Sequence, residues 1–332
     1  MRTPLVSVAI AVLLALGLFF GNNVENGPNA FITLGVMNGA VYGLVALGLV
    51  LVYKGTRVFN FAQGEFGTIG AYFLFICLSS GLPYWLGVVI AIAGTLVLGL
   101  ALERVVIRPL IDAPRINVLV ATIAIALALI GLEILIFRIE PQSLRPLMPA
   151  LDAAGHPAGI TIFELTIEPQ RLIALGVFAA LGGLLAWFFS RTDLGLGVLA
   201  TSQDSFATKV VGIGVPRMSR FIWGVSAVLG AVAGILYIPL TGTLIPAVMT
   251  ANILIPAFTA AVIGGMTSLP GAFVGGIVIG VVQSVGGWAG GHFTIGDKTL
   301  NLVVFGVEHV MIFVVLLVVL LARPQGLLGK EA

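Results

Sequence analysis

The chain has 332 residues, of which 59% are hydrophobic and 9% charged, with a net charge of +2 and a mean hydropathy of +1.15. So few charges cannot cover a water-exposed surface, which excludes a soluble enzyme or binding domain and identifies an all-α polytopic membrane protein embedded in a lipid bilayer. The basic residues sit at the ends of apolar runs, so the small positive balance gives no basis for nucleic-acid binding.

At about 20 apolar residues per crossing, membrane spans are predicted at 4–20, 31–53, 62–79, 84–103, 116–137, 170–190, 218–238, 247–267, 271–288 and 303–322, about ten in all. The 43 glycines suit such a bundle, because helices in lipid approach closely only where side chains are small. Residues 1–28 read either as an extra N-terminal helix or as a signal-like segment, with Arg2 before the apolar run and Ala15-Leu16-Gly17 as a cleavage-like motif. The run continues to Phe20, which favours a retained helix. With the N-terminus inside, only Arg138, Arg145, Arg171 and Lys298 of the 16 basic residues fall on outer segments. That positive-inside bias predicts cytoplasmic N- and C-termini.

The span at 247–267 contains Pro256 and Gly264-Gly265 and follows Pro246, so it is predicted to be broken or re-entrant. Membranes tolerate this only where protein covers the freed backbone. The outer segment 138–169 is Pro-rich and is expected to form a lid or short surface helices. Cys77, the only cysteine, lies in an apolar run and reads as a small buried hydrophobe.

The longest cytoplasmic stretch, 191–220, is polar. Within it, Ser202–Val211 is predicted as one amphipathic helix, N-capped by Thr201 with Asp204 three residues on and stopped by Gly212 and Pro216. Phe206 and Val210 share one face, while Gln203, Asp204, Thr208 and Lys209 are polar. At about 15 Å the helix is too short to cross a bilayer. It is either a solvated connector or a handle by which a soluble partner moves the membrane part.

Catalytic motifs are missing. There is no GxxxxGK[ST] loop for ATP, no GxSxG elbow and no HExxH, and His156, His292 and His309 are scattered. No cofactor is expected on this chain, and a membrane enzyme is disfavoured. Glu65, Glu133 and Glu308 fall near predicted span ends, where solvation or snorkelling accounts for them; the charge-poor span middles disfavour an ion-coupled carrier. In Asn60–Glu65, NFAQGE, polar residues open a span just after Lys54 and Arg57, as helix capping or as substrate contact. By polarity and placement the candidate substrate-path residues are Asn38, Tyr42, Asn60, Gln63 and Glu65, each equally suited to an interhelical hydrogen bond.

Four stretches together resemble the integral permease of branched-chain amino-acid ABC importers. They are Gly43–Tyr72 with NFAQGEF, Glu103–Leu110 (ERVVIRPL), the cytoplasmic pattern Asp204, Ala207, Gly212 and Ile213, and Ala257–Gly276 with the tail Arg323–Gly329. Gln63 stands where the family usually has His, and Leu199 where an Arg usually precedes the alanine. The resemblance covers about 29–329 and implies a multi-pass permease domain, 29–332, in a bacterial inner membrane. It also implies a second related permease, two cytoplasmic ATPase subunits that use the ATP, and a periplasmic substrate-binding protein. Asp204, Phe206, Ala207, Val210, Gly212 and Ile213 would then form the ATPase-coupling surface. Urea and other small-solute importers share this permease type and are the alternative.

Overall fold

The computed structural model describes residues 28–111, 113–148, 159–162, 165–203, 208, 214–296, 298–299, 306–323 and 325–328. The predicted first span, 4–20, lies outside them. The long helices are α1 (Pro28–Thr56), α2 (Gln63–Ser79), α3 (Tyr84–Leu102), α4 (Arg115–Phe137), α5 (Pro169–Arg191) and α6 (Asp193–Gln203). They are followed by α7 (Val215–Thr241), α8 (Ile255–Gly264), α9 (Leu269–His292) and α10 (Val307–Ala322). Among the described residues six helical stretches are long and apolar enough to cross a membrane, and Thr250–Gly264 and Val307–Ala322 are shorter apolar helices. The chain is thus a helical polytopic membrane protein.

Two prolines explain the irregular turns. The ring of Pro109 cannot donate to residue 105, so α3 widens into a π-turn at Glu103–Ile107 and tightens into a 3₁₀ turn at Arg108–Leu110. Pro256 has the same effect on the predicted broken span: a π-turn at Thr250–Leu254 leads into α8. Asn252 Nδ2 donates to the Val248 carbonyl at 2.9 Å, a side-chain bond within the same turn. The segment starts at Ala247, with φ of 62°, and ends at Gly265, with φ of 101°. It is an interrupted helix, as the sequence led one to expect.

The core forms around α1, which is almost wholly buried and packs on α9, α7, α5, α8 and α6. Its tightest contact is with α9, through Gly35, Gly39 and Gly43 on one helix and Gly276 and Gly280 on the other. A Cβ added at Gly280 would lie 2.2 Å from the Gly35 carbonyl oxygen and 2.4 Å from the Gly39 Cα, so the two backbones touch. This is how helices attract in lipid, where burying apolar area gives no gain over the acyl chains. On the periphery, Trp85, Val120, Leu127, Leu135, Phe313 and Leu321 are exposed, as suits side chains turned to acyl chains.

Three local expectations are corrected. The described part of 138–169 forms no surface helix: β1 (Ile160–Ile162) pairs antiparallel with β2 (Leu165–Ile167), and Gln142 bridges to Leu244. β-branched residues in short alternation favour that pairing over a helical turn. Thr201 is not an N-cap. It lies inside α6, where its hydroxyl donates to the Gly197 carbonyl at 2.8 Å, because helix formation already begins at Asp193. Thr208, assigned to a polar face, is buried. Cys77 is buried, as expected.

Candidate functional site

The NFAQGE motif does not sit at the membrane edge. After α1 ends at Thr56 the chain turns back, and α2 starts inside the bundle. A Cβ on Gly48 would fall 2.3 Å from Gln63 Nε2, so the glutamine packs against bare backbone roughly two turns, about 12 Å, before the end of α1. Asn60 Oδ1 accepts from the Ala62 backbone N–H at 3.1 Å, closing the turn just ahead of α2, whose own N-cap, Ala62, has no side-chain cap. The Asn60 amide donates to Gln63 Oε1 at 3.4 Å. Gln63 Nε2 donates to the Ser226 carbonyl at 3.0 Å, and the Ser226 hydroxyl donates back to Gln63 Oε1. Asn60, Gln63 and Ser226 are fully buried. Their amides meet the backbone and one another, tying α2 to α7.

Two residues further along α2 the same inward start places Glu65 in the interior. Glu65 is 0% and Glu133 3% exposed, and their carboxyl groups act directly on each other. The Thr68 and Thr250 hydroxyls lie beside Glu65, and the Tyr72 hydroxyl lies within electrostatic reach of both acids. Glu133 Oε2 accepts from the Ala247 backbone N–H at 3.0 Å. Among the described residues the two Glu65 oxygens, Glu133 Oε1, the Tyr72 hydroxyl and Thr250 Oγ1 have no hydrogen-bond partner. The expectation of solvated, interfacial carboxylates is therefore corrected for Glu65 and Glu133. The cause is the recessed start of α2 and the hydrogen bond that holds Glu133 of α4 to the Ala247 backbone.

Asn38 and Tyr42 belong to a different place. They line a cavity of about 370 Å³ at one end of the bundle, between the starts of α1, α5 and α10 and the ends of α7 and α9. Phe31, Leu34, Tyr237 and Leu240 give it an apolar wall; Arg171, Gln283, Ser284 and Glu308 give it polar and charged groups. Arg171 Nη1 donates to Asn38 Oδ1 at 2.9 Å, and its Nε lies 3.5 Å from the Glu168 carboxylate. The Tyr42 hydroxyl donates to Gln283 Oε1. Glu308 pairs with its neighbour His309 at 3.2 Å. The volume is at the low end of the range for small-molecule sites, which suits a ligand of metabolite size.

Of the five candidate path residues, then, the structure brings Asn38 and Tyr42 together on an open cavity and buries Asn60, Gln63 and Glu65 inside. Sequence reasoning missed Arg171, Gln283, Ser284 and Glu308. Arg171 was counted only for topology, although an outer arginine two residues after Pro169 at a helix start was a signal in itself. Glu308 was set aside as an interfacial charge. Asp204, Phe206, Ala207, Val210, Gly212 and Ile213 lie outside the described residues. No group of three or more metal-ligating side chains occurs among the described residues.

Comparison with known proteins agrees with this architecture. A family model described as the permease component of the branched-chain amino acid transport system matches residues 31–321. The chain is similar to the high-affinity branched-chain amino acid transport system permease protein BraD of Pseudomonas aeruginosa, 31% identical over 89% of this chain and 94% of that protein. It is also similar to the corresponding LivH protein of Escherichia coli K12, 28% identical with the same coverage. A probable branched-chain amino acid transport permease protein LivH of Methanocaldococcus jannaschii is 30% identical over 87% of this chain and 88% of that protein. With nearly the whole bundle matched, the chain belongs to the family of permease components of branched-chain amino acid transport systems, and it is a transport subunit, not an enzyme.

Proposed function

We propose that this chain forms half of the translocation pathway of an ABC importer for branched-chain amino acids in a bacterial inner membrane. The observation that carries the reading is the cavity at one end of the bundle, which offers both signs of charge beside an apolar wall. A urea pathway has no use for two opposite formal charges. A second related permease completes the path, a periplasmic protein delivers the solute, and two cytoplasmic ATPase subunits supply the energy, since this chain has no P-loop. About ten spans, with residues 1–28 as an additional N-terminal segment and both termini in the cytoplasm, fit the distribution of basic residues. In that orientation the cavity opens outward and the loop 191–220 faces the ATPases.

The test is reconstitution. In proteoliposomes the chain alone should not accumulate leucine under any proton or sodium gradient. The assembled complex should accumulate it when ATP is supplied to the ATPase side. Gradient-driven accumulation by the chain alone would overturn the reading.

Coupling is proposed to run through Asp204, Phe206, Ala207, Val210, Gly212 and Ile213, with Phe206 as the anchor in an ATPase groove. Truncating a well-packed anchor typically removes 2 kcal/mol or more, about a thirty-fold loss of affinity. Phe206→Ala should therefore release the ATPase on co-purification and stop uptake while the permease still inserts. Retention of the ATPase at wild-type stoichiometry with normal uptake would leave the loop as a connector only.

A further inference from the structure

Resting on the reading of the chain as an amino-acid permease, we propose that the cavity between Arg171 and Glu308 is a recognition site for the zwitterionic head group of an α-amino acid. Arg171 receives the carboxylate, and Glu308 receives the ammonium. The argument starts from spacing on α1. Asn38 and Tyr42 are four residues apart and share one face, separated by about one turn, ~5.4 Å. Each marks one charge: Arg171 is fixed to Asn38 by its 2.9 Å hydrogen bond, and Glu308 lies within electrostatic reach of the Tyr42 hydroxyl. The two opposite charges thus line one cavity, and among the described residues they do not pair with each other. A head group that carries both charged groups on one carbon can engage both.

The bonding that remains open points the same way. Arg171 uses Nη1 on Asn38 and Nε on Glu168, and among the described residues Nη2 makes no hydrogen bond. A guanidinium so held presents a planar donor edge, the geometry that a carboxylate matches best. Among the described residues Glu308 meets only the side chain of its own neighbour, His309, and both are partly exposed. That contact can be exchanged for an ammonium group with little loss. Gln283 spends its carbonyl oxygen on Tyr42, which leaves its amide N–H groups for the ligand. The wall of Phe31, Leu34 and Leu240 faces the same space and accepts an aliphatic side chain. An uncharged solute would engage neither charge. A singly charged one would satisfy only one of them.

The experiment uses the complete importer in nanodiscs, with Cys77→Ala and Ser284→Cys as reporter of the cavity. The rate of reaction of the new thiol with an impermeant maleimide is followed against added solute. Leucine is expected to slow labelling, while isovalerate, which lacks the ammonium, and isoamylamine, which lacks the carboxylate, are expected not to. Arg171→Gln and Glu308→Gln should each raise the leucine concentration for half-protection at least about tenfold, since a hydrogen bond to a charged group contributes roughly 1.5–3 kcal/mol. Arg171→Lys, which keeps the charge, should retain part of the protection and controls for folding. Equal protection by all three solutes, or none by leucine, overturns the site. If leucine is taken up in an ATP-dependent way but does not protect, only this site is wrong. If no amino acid is taken up at all, the functional reading fails with it. Labelling of the same thiol from outside intact cells reports whether the cavity faces outward.

Discussion

Replacing Gly280 with leucine is expected to prevent the accumulation of folded permease. The side chain would begin 2.2 Å from the Gly35 carbonyl oxygen and 2.4 Å from the Gly39 Cα, and neither atom belongs to a side chain that can rotate away. To admit it, α1 and α9 must separate along the most extensive helix contact in the bundle, and the loss spreads to Gly276 against Gly43, where the margin is 2.4 Å. Overpacking a core costs about 1–3 kcal/mol when side chains can adjust. With backbone on both sides the loss lies at or above the top of that range. The measurement is the yield of monodisperse protein on size-exclusion in detergent, with Gly287→Leu as control, because a Cβ there meets nothing within 4 Å. Equal yields from the two variants would contradict the close α1–α9 contact.

The second large effect is at Glu133. Glu133→Leu removes the acceptor for the Ala247 N–H, at a residue whose φ of 62° already strains the backbone for a side chain with a Cβ. It also leaves the Glu65 carboxyl facing hydrocarbon. A buried donor without its partner costs about 1–3 kcal/mol, and an orphaned acid beside it adds to that. Glu65→Gln should have the opposite sign: it keeps the shape, removes one of two acids packed together, and supplies an N–H to the other. Thermal unfolding in detergent, followed by tryptophan fluorescence, should place Glu133→Leu below the wild type and Glu65→Gln at or above it. Identical shifts for both would mean that the acids do not meet.

Much of this was legible in the sequence where the signal is local. Apolar runs of sufficient length gave the spans, and the prolines at 246 and 256 with Gly264-Gly265 marked the interrupted helix, because a missing N–H acts on its own turn. The family resemblance was legible from the order of weak motifs. What was not legible depends on where a helix starts in depth. Counting from Lys54 and Arg57 put Glu65 at an interface, but the chain turns back after Thr56 and α2 begins among the other helices, held by Gln63 on Gly48 and Ser226. No periodicity records that offset. The cavity was half legible: Asn38 and Tyr42 stood out as polar residues in an apolar run, whereas Arg171, Gln283 and Glu308 join them only once five helix ends meet. Likewise the pairing of Glu65 with Glu133 spans two helices and an interruption in a third.

The glycine contact between α1 and α9 has a mechanical consequence. A slide of one residue, about 1.5 Å, would bring Val281 or Ile277 to places where α1 leaves no room for a Cβ, as the 2.6 Å and 2.8 Å approaches at Gly35 and Gly39 already indicate. The two helices therefore behave as a single strut, fixed in register as firmly as a keyed shaft. Motion that opens and closes a path must pass around this strut, through elements whose contacts are made by flexible side chains or whose turns are already widened. The π-turn at Thr250–Leu254, set directly against the recessed start of α2, is one such place.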